Sequence, residues 1–237
     1  MQQTAGSNRT RPAPYGNDGL LLPAVMAAAV AGAVPVSYVG AFDRFTWWLE
    51  SIPVLVALPL LALTWRRHRL SDLLYVFIAL HCFILLLGGH YTYARVPLGD
   101  WAGHLFGWER NNYDKLGHFA QGFVPALLTR EILVRFSPFR AAPRSWYIPV
   151  LAVATPLAFS ALYEIIEWQA ALLAGAAADE FLGTQGDVWD TQSDMALALA
   201  GALCAVILMG RMHDRSMAKV EARAGGTPGR RRSPAAS

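Results

Sequence analysis

Three stretches of the sequence place carboxylates and imidazoles at helical spacing. Asp114 and His118 are four residues apart, Glu164 and Glu167 are three apart, and Asp187, Asp190 and Asp194 follow at three and four. Side chains three or four apart share one helix face. His90 stands with Tyr91, Tyr93 and Arg95 in a fourth polar group. Carboxylate oxygens suit Mg, Mn or Ca, and an added imidazole suits Zn or Fe. Such an ion would activate water or polarise a phosphoryl oxygen. Glu164, Glu167, His118, Asp190, Asp194 and Asp114 are therefore the candidate catalytic residues, and His118, Glu164, Glu167, His90 and Asp187 the candidate ligands of a divalent metal ion. The pattern is a convergence of residue types: the chain contains no HExxH, no CxxC and no Cys/His pair at zinc spacing.

The elements that must position these residues are apolar helices. The chain has 237 residues, of which 54% are hydrophobic and only 16% charged, with a mean hydropathy of +0.31. A soluble domain carries about 25% charged residues, and a disordered chain needs low hydrophobicity. Two cysteines exclude a disulfide scaffold; Cys82 and Cys204 are expected to pack as small apolar side chains. Six segments, at about 20–41, 47–65, 72–90, 115–136, 146–168 and 191–210, are apolar over the roughly 20 residues that a bilayer core requires. The runs are continuous and do not alternate, which excludes a barrel. Trp47, Trp48, Trp65, Trp146, Trp168 and Trp189 fall near span ends, where an aromatic belt is expected. The fold class is all-α, a polytopic helical membrane protein of about six spans. The first segment has a second reading: Arg9 and Arg11 before an apolar stretch ending at Ala31-Gly32-Ala33 also resemble a cleaved signal peptide. The apolar run continues through Phe42, which favours a retained helix.

Charge distribution gives the orientation. With the N-terminus inside, 16 of the 20 basic residues but only 5 of the 17 acidic ones fall on the cytoplasmic side. The positive-inside rule then sets N-in and C-in. The organisation is a cytoplasmic tail over 1–19, a transmembrane domain over 20–210, and a basic, disordered cytoplasmic tail over 211–237. The Arg230-Arg231-Arg232 run suits anionic headgroups, so the partner is the lipid bilayer and not nucleic acid. Small residues at four-residue spacing in the sixth span (Ala196/Ala200, Ala198/Ala202, Gly201/Ala205) suit close helix packing.

In this topology the polar groups of four helices reach one outer level. Simpler roles exist for several: N-caps for Asp114 and Asp190, snorkelling for Lys115, an interfacial site for His90, a packing role for His81, and interface anchoring for Tyr91 and Tyr93. The glutamates resist such readings. They lie at the C-terminal end of a helix, where the dipole disfavours negative charge, and carboxylates inside a membrane are paired or functional. Their counter-charge must come from Lys115, Arg95, Arg110, protonated His118 or a metal ion.

The strings HYTY (90–93), ERNNYDKLGHFAQG (109–122), REI (130–132), LYEIIEW (162–168) and GTQGDVWDTQSDMAL (183–197) resemble the YjdF family of bacterial inner-membrane proteins, over roughly residues 50–205. That family is defined by a domain of unknown function. The resemblance implies a plasma-membrane location and several spans, and its recurring polar positions correspond to His90, Asp114, His118, Glu164, Glu167, Asp187, Asp190 and Asp194. A weaker similarity, in the helix start Asp114–Phe119, is to VanZ-like membrane proteins. Three functions are then expected to compete. One is a metal-dependent enzyme acting on a lipid-linked or envelope substrate; another is a non-catalytic binding or resistance protein. The third is an ion- or proton-coupled transporter, against which stand apolar inner halves of the spans and the lack of an inverted repeat.

Overall fold

A computed structural model describes residues 19–174 and 185–225. The described residues form seven α-helices: α1 (Leu21–Tyr38), α2 (Arg44–Thr64), α3 (Asp72–Tyr91), α4 (Pro97–Phe106), α5 (Tyr113–Phe136), α6 (Tyr147–Ala174) and α7 (Asp190–Gly225), with 3-10 turns at Tyr93–Arg95 and Pro138–Ala141. No strand occurs among them. Arg9, Arg11 and the Arg230–Arg232 run lie outside the described residues.

Five helices, α1, α2, α3, α6 and α7, are long and apolar enough to cross a membrane. The sixth expected span corresponds to α5, which is 24 residues long but carries Asp114 and Lys115 at its start and Arg130, Glu131 and Arg135 near its end. It sits at the centre of the bundle, packed against α3, α6 and α7, while α1 and α2 pack on α3. Its neighbours, more than the lipid, therefore surround its polar groups.

Lipid tails are as apolar as leucine, so helices in a bilayer associate through close packing of small residues. The α5–α7 contact works in this way. A Cβ on Gly122 would overlap the Ala198 carbonyl, and one on Gly201 would overlap the Phe119 carbonyl. The buried stripe of α7 runs through Asp194, Ala198, Ala202 and Ala205. Two of the three expected small-residue pairs thus contribute to the interface; Ala196 points outward. Leu70, Leu74, Tyr75, Val124 and Leu127 complete this core, and a second cluster joins Val30, Trp47, Val54, Ala79 and Leu86 across α1, α2 and α3. Trp47 is consequently core and not belt: it is 3% exposed, and its indole N–H donates to Ser37 Oγ at 3.0 Å. Trp48, Trp146, Trp168 and Trp189 are exposed, as a belt requires.

Two elements went unread in the sequence. Between α3 and α5, the short helix α4 exposes Leu98, Trp101, Leu105 and Phe106 while burying Gly99 and Gly103. Such an amphipathic segment fits the plane of a membrane interface. The second is the extension of α7 to Gly225, so that residues 211–225, expected to be disordered, are helical. His213, Met217 and Val220, at a spacing of four and three, are buried along one face of it, which is the apolar stripe of an ordinary packed helix.

That extension helps to close a polar layer at the end of the bundle where α5 finishes. Glu131 is fully buried and both of its oxygens are doubly engaged. Oε1 accepts from the Ser71 backbone N–H at 2.7 Å and from Arg135, and Oε2 accepts from Ser71 Oγ at 2.6 Å and lies 2.8 Å from His213 Nε2. Arg135 also donates to the Arg69 carbonyl at 2.8 Å, and Arg69 to Asp72 and the Gly19 carbonyl. The halves of the spans expected to face the cytoplasm are thus not uniformly apolar.

Because Gly122 meets backbone rather than a movable side chain, Gly122→Val should push α5 and α7 apart. We expect it to lower the thermal unfolding midpoint of detergent-purified protein by the equivalent of about 1–3 kcal/mol. Gly210→Ala, whose new Cβ meets nothing within 4 Å, should leave the midpoint unchanged. Equal behaviour of the two variants would refute the close-packing account.

Candidate functional site

The opposite polar layer lies where α5 and α7 begin and α6 ends. The chain enters it through Asn111, whose side-chain N–H groups donate to the Val96 carbonyl at 2.9 Å and to Asp100 at 2.7 Å, and whose Oδ1 accepts from the Tyr113 N–H. Gln185 binds both backbone groups of Asn111, at 3.1 and 2.8 Å. These bonds fix the α4–α5 loop against the segment before α7.

Arg110 and Lys115 then hold the aspartates together. Arg110 reaches Asp114 at 2.8 Å, Asp190 at 2.9 Å and Asp187 at 3.2 Å. Burial would lower the pKa of this guanidinium, but the Asp114, Asp190 and Asp187 carboxylates around it raise it above its ordinary value. Lys115 Nζ donates to Asp190 at 2.8 Å, to Asp194 at 2.8 Å and to Ser193 Oγ at 2.7 Å. Lys115 therefore does not snorkel to headgroups. Neither Asp114 nor Asp190 stands at an N-cap position: Asn112 precedes α5 as its N-cap and Asp190 is the first residue of α7, though Asp114 also accepts the Lys115 backbone N–H at 2.8 Å.

One turn deeper, His118 stands between two acids. Its Nδ1 is 3.8 Å from Glu164 Oε1 and its Nε2 is 3.6 Å from Asp194 Oδ2. Both separations exceed hydrogen-bond length. His118 Nδ1 and Glu164 Oε1 are buried without any hydrogen-bond partner, although the Glu164 side chain is only 6% exposed. Buried polar atoms are nearly always paired, and an unpaired one costs about 1–3 kcal/mol. One ligand atom from each of His118, Glu164 and Asp194 falls within 4.8 Å of the others, and Asp114, Asp190 and Asp194 form a second such group.

A cavity of about 240 Å³ opens beside His118. Asp114, His118, Asp194 and Glu167 line it, as do Glu50 and Tyr163. Glu50 was not singled out in the sequence because it stands alone among apolar residues of the second span; it is 7% exposed and accepts from the Tyr163 hydroxyl at 3.1 Å. Tyr93 lines the same cavity beside it. The Tyr93 ring is seated against Gly88 and Gly117, where added Cβ atoms would collide with it.

The structure brings together His118, Glu164, Asp194, Asp190 and Asp114, and sets Glu167 in the adjoining cavity wall. His90 is not among them: its Nδ1 lies 2.8 Å from the Ser37 carbonyl, tying α3 to α1. His90 therefore faces the α1 side of the bundle. Asp187 is a rim residue, with a side chain 35% exposed and one oxygen accepting the Trp189 N–H at 2.9 Å. Neither His90 nor Asp187 joins the groups that could ligate a metal.

Comparison with known proteins agrees with the sequence strings quoted above. The family described as "Predicted membrane protein (DUF2238)" matches residues 22–215. The inner membrane protein YjdF of Escherichia coli (strain K12) is 52% identical over 179 residues, which cover 76% of this chain and 84% of that protein. No solved structure matches the chain. The chain belongs to this family of multi-pass inner-membrane proteins.

Among the described residues Lys115 is the one lysine or arginine paired with Asp194, whereas Asp190 also has Arg110, so removal of Lys115 should strand Asp194. Breaking a buried pair from one side costs about 3–5 kcal/mol. Lys115→Met is expected to lower the unfolding midpoint markedly, and the double variant Lys115→Met/Asp194→Asn to recover part of the loss. Strict additivity of the two substitutions would show that they do not interact.

Proposed function

We propose that this chain is a six-span, N-in/C-in enzyme whose cavity lies at the periplasmic face, binds a divalent metal ion at His118, Glu164 and Asp194, and acts on an envelope or lipid-linked substrate. The observation that carries the proposal is the pair of buried, unpartnered atoms, His118 Nδ1 and Glu164 Oε1, facing each other beside Asp194. Charge supports it. Among the described residues Arg110 and Lys115 pair within this layer, against Asp114, Asp187, Asp190, Asp194, Glu164, Glu167 and Glu50. A divalent ion would offset part of this excess, and a site of two carboxylates and one imidazole suits Mn, Zn or Fe. Bound there, it would polarise a substrate oxygen or activate water.

The six-span topology draws support from α5. Its residues 116–129 contain no Asp, Glu, Lys or Arg, and span about 21 Å of helix. The charges at either end pair with α3 and α7 and so do not face lipid. Packing of α1 through Ser37 to Trp47 and His90 supports a retained first helix. A C-terminal green fluorescent protein fusion should glow, and alkaline phosphatase inserted after Gly107 should be active; an active phosphatase at the C-terminus would reverse the orientation.

Elemental analysis of detergent-purified protein should find about one divalent ion per chain, with Glu164→Gln and Asp194→Asn reducing it together with the unfolding midpoint gained on metal addition. The metal reading fails if the purified protein carries none and its midpoint ignores Mg, Mn, Ca and Zn alike.

A further inference from the structure

Treating the cavity as a binding site leaves its α2–α6 wall unexplained. Glu50 and Glu167 contribute two carboxylates to that wall, and neither has an ion-pair partner among the described residues. Arg110 and Lys115, the cations seen to pair in this layer among the described residues, are already committed, Arg110 to Asp114, Asp187 and Asp190, and Lys115 to Asp190 and Asp194. Two like charges in a poorly solvated space oppose each other's ionisation and attract a cation. Acceptors dominate the remaining polar surface. The Tyr163 hydroxyl proton is spent on Glu50, so its oxygen is left as an acceptor. His81, which also lines the cavity, holds its Nε2 out of solvent without a partner.

No lysine or arginine is among the described residues that line the cavity, so they offer an anionic headgroup no counter-charge. A bare inorganic ion does not fill about 240 Å³, and the rest of the wall, with Leu85, Phe159 and Pro53, is apolar and aromatic. An organic ammonium supplies what is missing: one positive charge, several N–H donors, carbon for the apolar wall, and attraction to the tyrosine and phenylalanine rings. We infer that the Glu50–Glu167 wall is the subsite for an organic ammonium group of the ligand. This rests on the cavity being the binding site proposed above, but not on the presence of the metal.

The test uses the full chain in detergent, read by its unfolding midpoint and by calorimetric titration. The n-butylammonium ion should bind saturably and raise the midpoint, whereas n-butanol, butyrate and sodium ion should not. Glu50→Gln and Glu167→Gln should each weaken butylammonium binding at least about tenfold, or 1.4 kcal/mol, while retaining the response to metal. His118→Ala should do the reverse, so loss of the metal response alone counts against the metal proposal and leaves the subsite standing. Added phosphatidylethanolamine protecting the protein where phosphatidylglycerol does not would assign the ammonium to a lipid headgroup; protection by butylammonium alone would assign it to a soluble amine. Equal effects of butylammonium, butyrate and sodium, or binding unchanged in both glutamate variants, would overturn the inference. The wild-type comparison of the four small probes decides the matter even if a glutamate variant does not purify.

Discussion

Buried charge is the constraint on which this bundle depends. Helix α5 carries charged residues at both ends and lies against three other helices, so each end must find counter-charges from its neighbours or pay several kcal/mol per ion in desolvation. The required partners come from different helices in each case. At one end they are on α7 and the loop before α5; at the other they are on the α2–α3 loop, the start of α3 and the extension of α7. The Gly122–Ala198 and Gly201–Phe119 approaches bring α5 and α7 close enough for both sets of pairs to form. Small-residue packing and charge pairing therefore support the same interface.

The two ends satisfy this constraint to different degrees, and the difference locates the site. Glu131 has four partners for its two oxygens, including a backbone N–H that no side-chain substitution removes. A carboxylate so enclosed orders the structure and is inaccessible to a ligand. Glu164, on α6 at the other end, is also buried, yet one of its oxygens has no partner, and neither has Nδ1 of the neighbouring His118. Low local dielectric makes both situations consequential: a complete network is rigid, and an incomplete one is costly. The cost is tolerated where something else completes the network, which is why the ligand is expected at Glu164 and not at Glu131.

Much of this was legible in the sequence, for identifiable reasons. Long apolar runs announce helices whatever they pack against, so the helices appeared where expected, and the spacings 114/118 and 190/194 put those side chains on inward faces. His118, Glu164 and Asp194 were chosen by type and depth, and the fold brings them into contact. The misses share a cause. His90 was selected for its depth, but depth does not say which way a side chain faces around a helix axis, and its imidazole points to α1. Glu50 lacked a titratable neighbour at helical spacing in sequence; its partner Tyr163 comes from another helix. His213 and Glu131 are 82 residues apart, and no local periodicity reports such a pair. Helix α4 and the end of α7 escaped because their apolar residues are interleaved with polar ones, below the density that marks a span.

The backbone around Tyr93 adds an argument of a different kind. Thr92 has φ +58°, ψ +140°, a conformation costly for a β-branched residue. It ends α3 and turns the chain so that the next side chain runs back into the bundle, over Gly88 and Gly117. A Thr in such a conformation, followed by a large aromatic that only two glycines can accommodate, contributes little to stability that a simpler loop would not. What it does achieve is to place the Tyr93 hydroxyl beside Glu50 inside the cavity. Local strain that survives in a fold is compensated elsewhere and clusters at functional positions. The strained turn, the incomplete His118–Glu164 pair and the uncompensated Glu50–Glu167 wall all occur around one cavity, and close packing in the rest of the bundle holds them there.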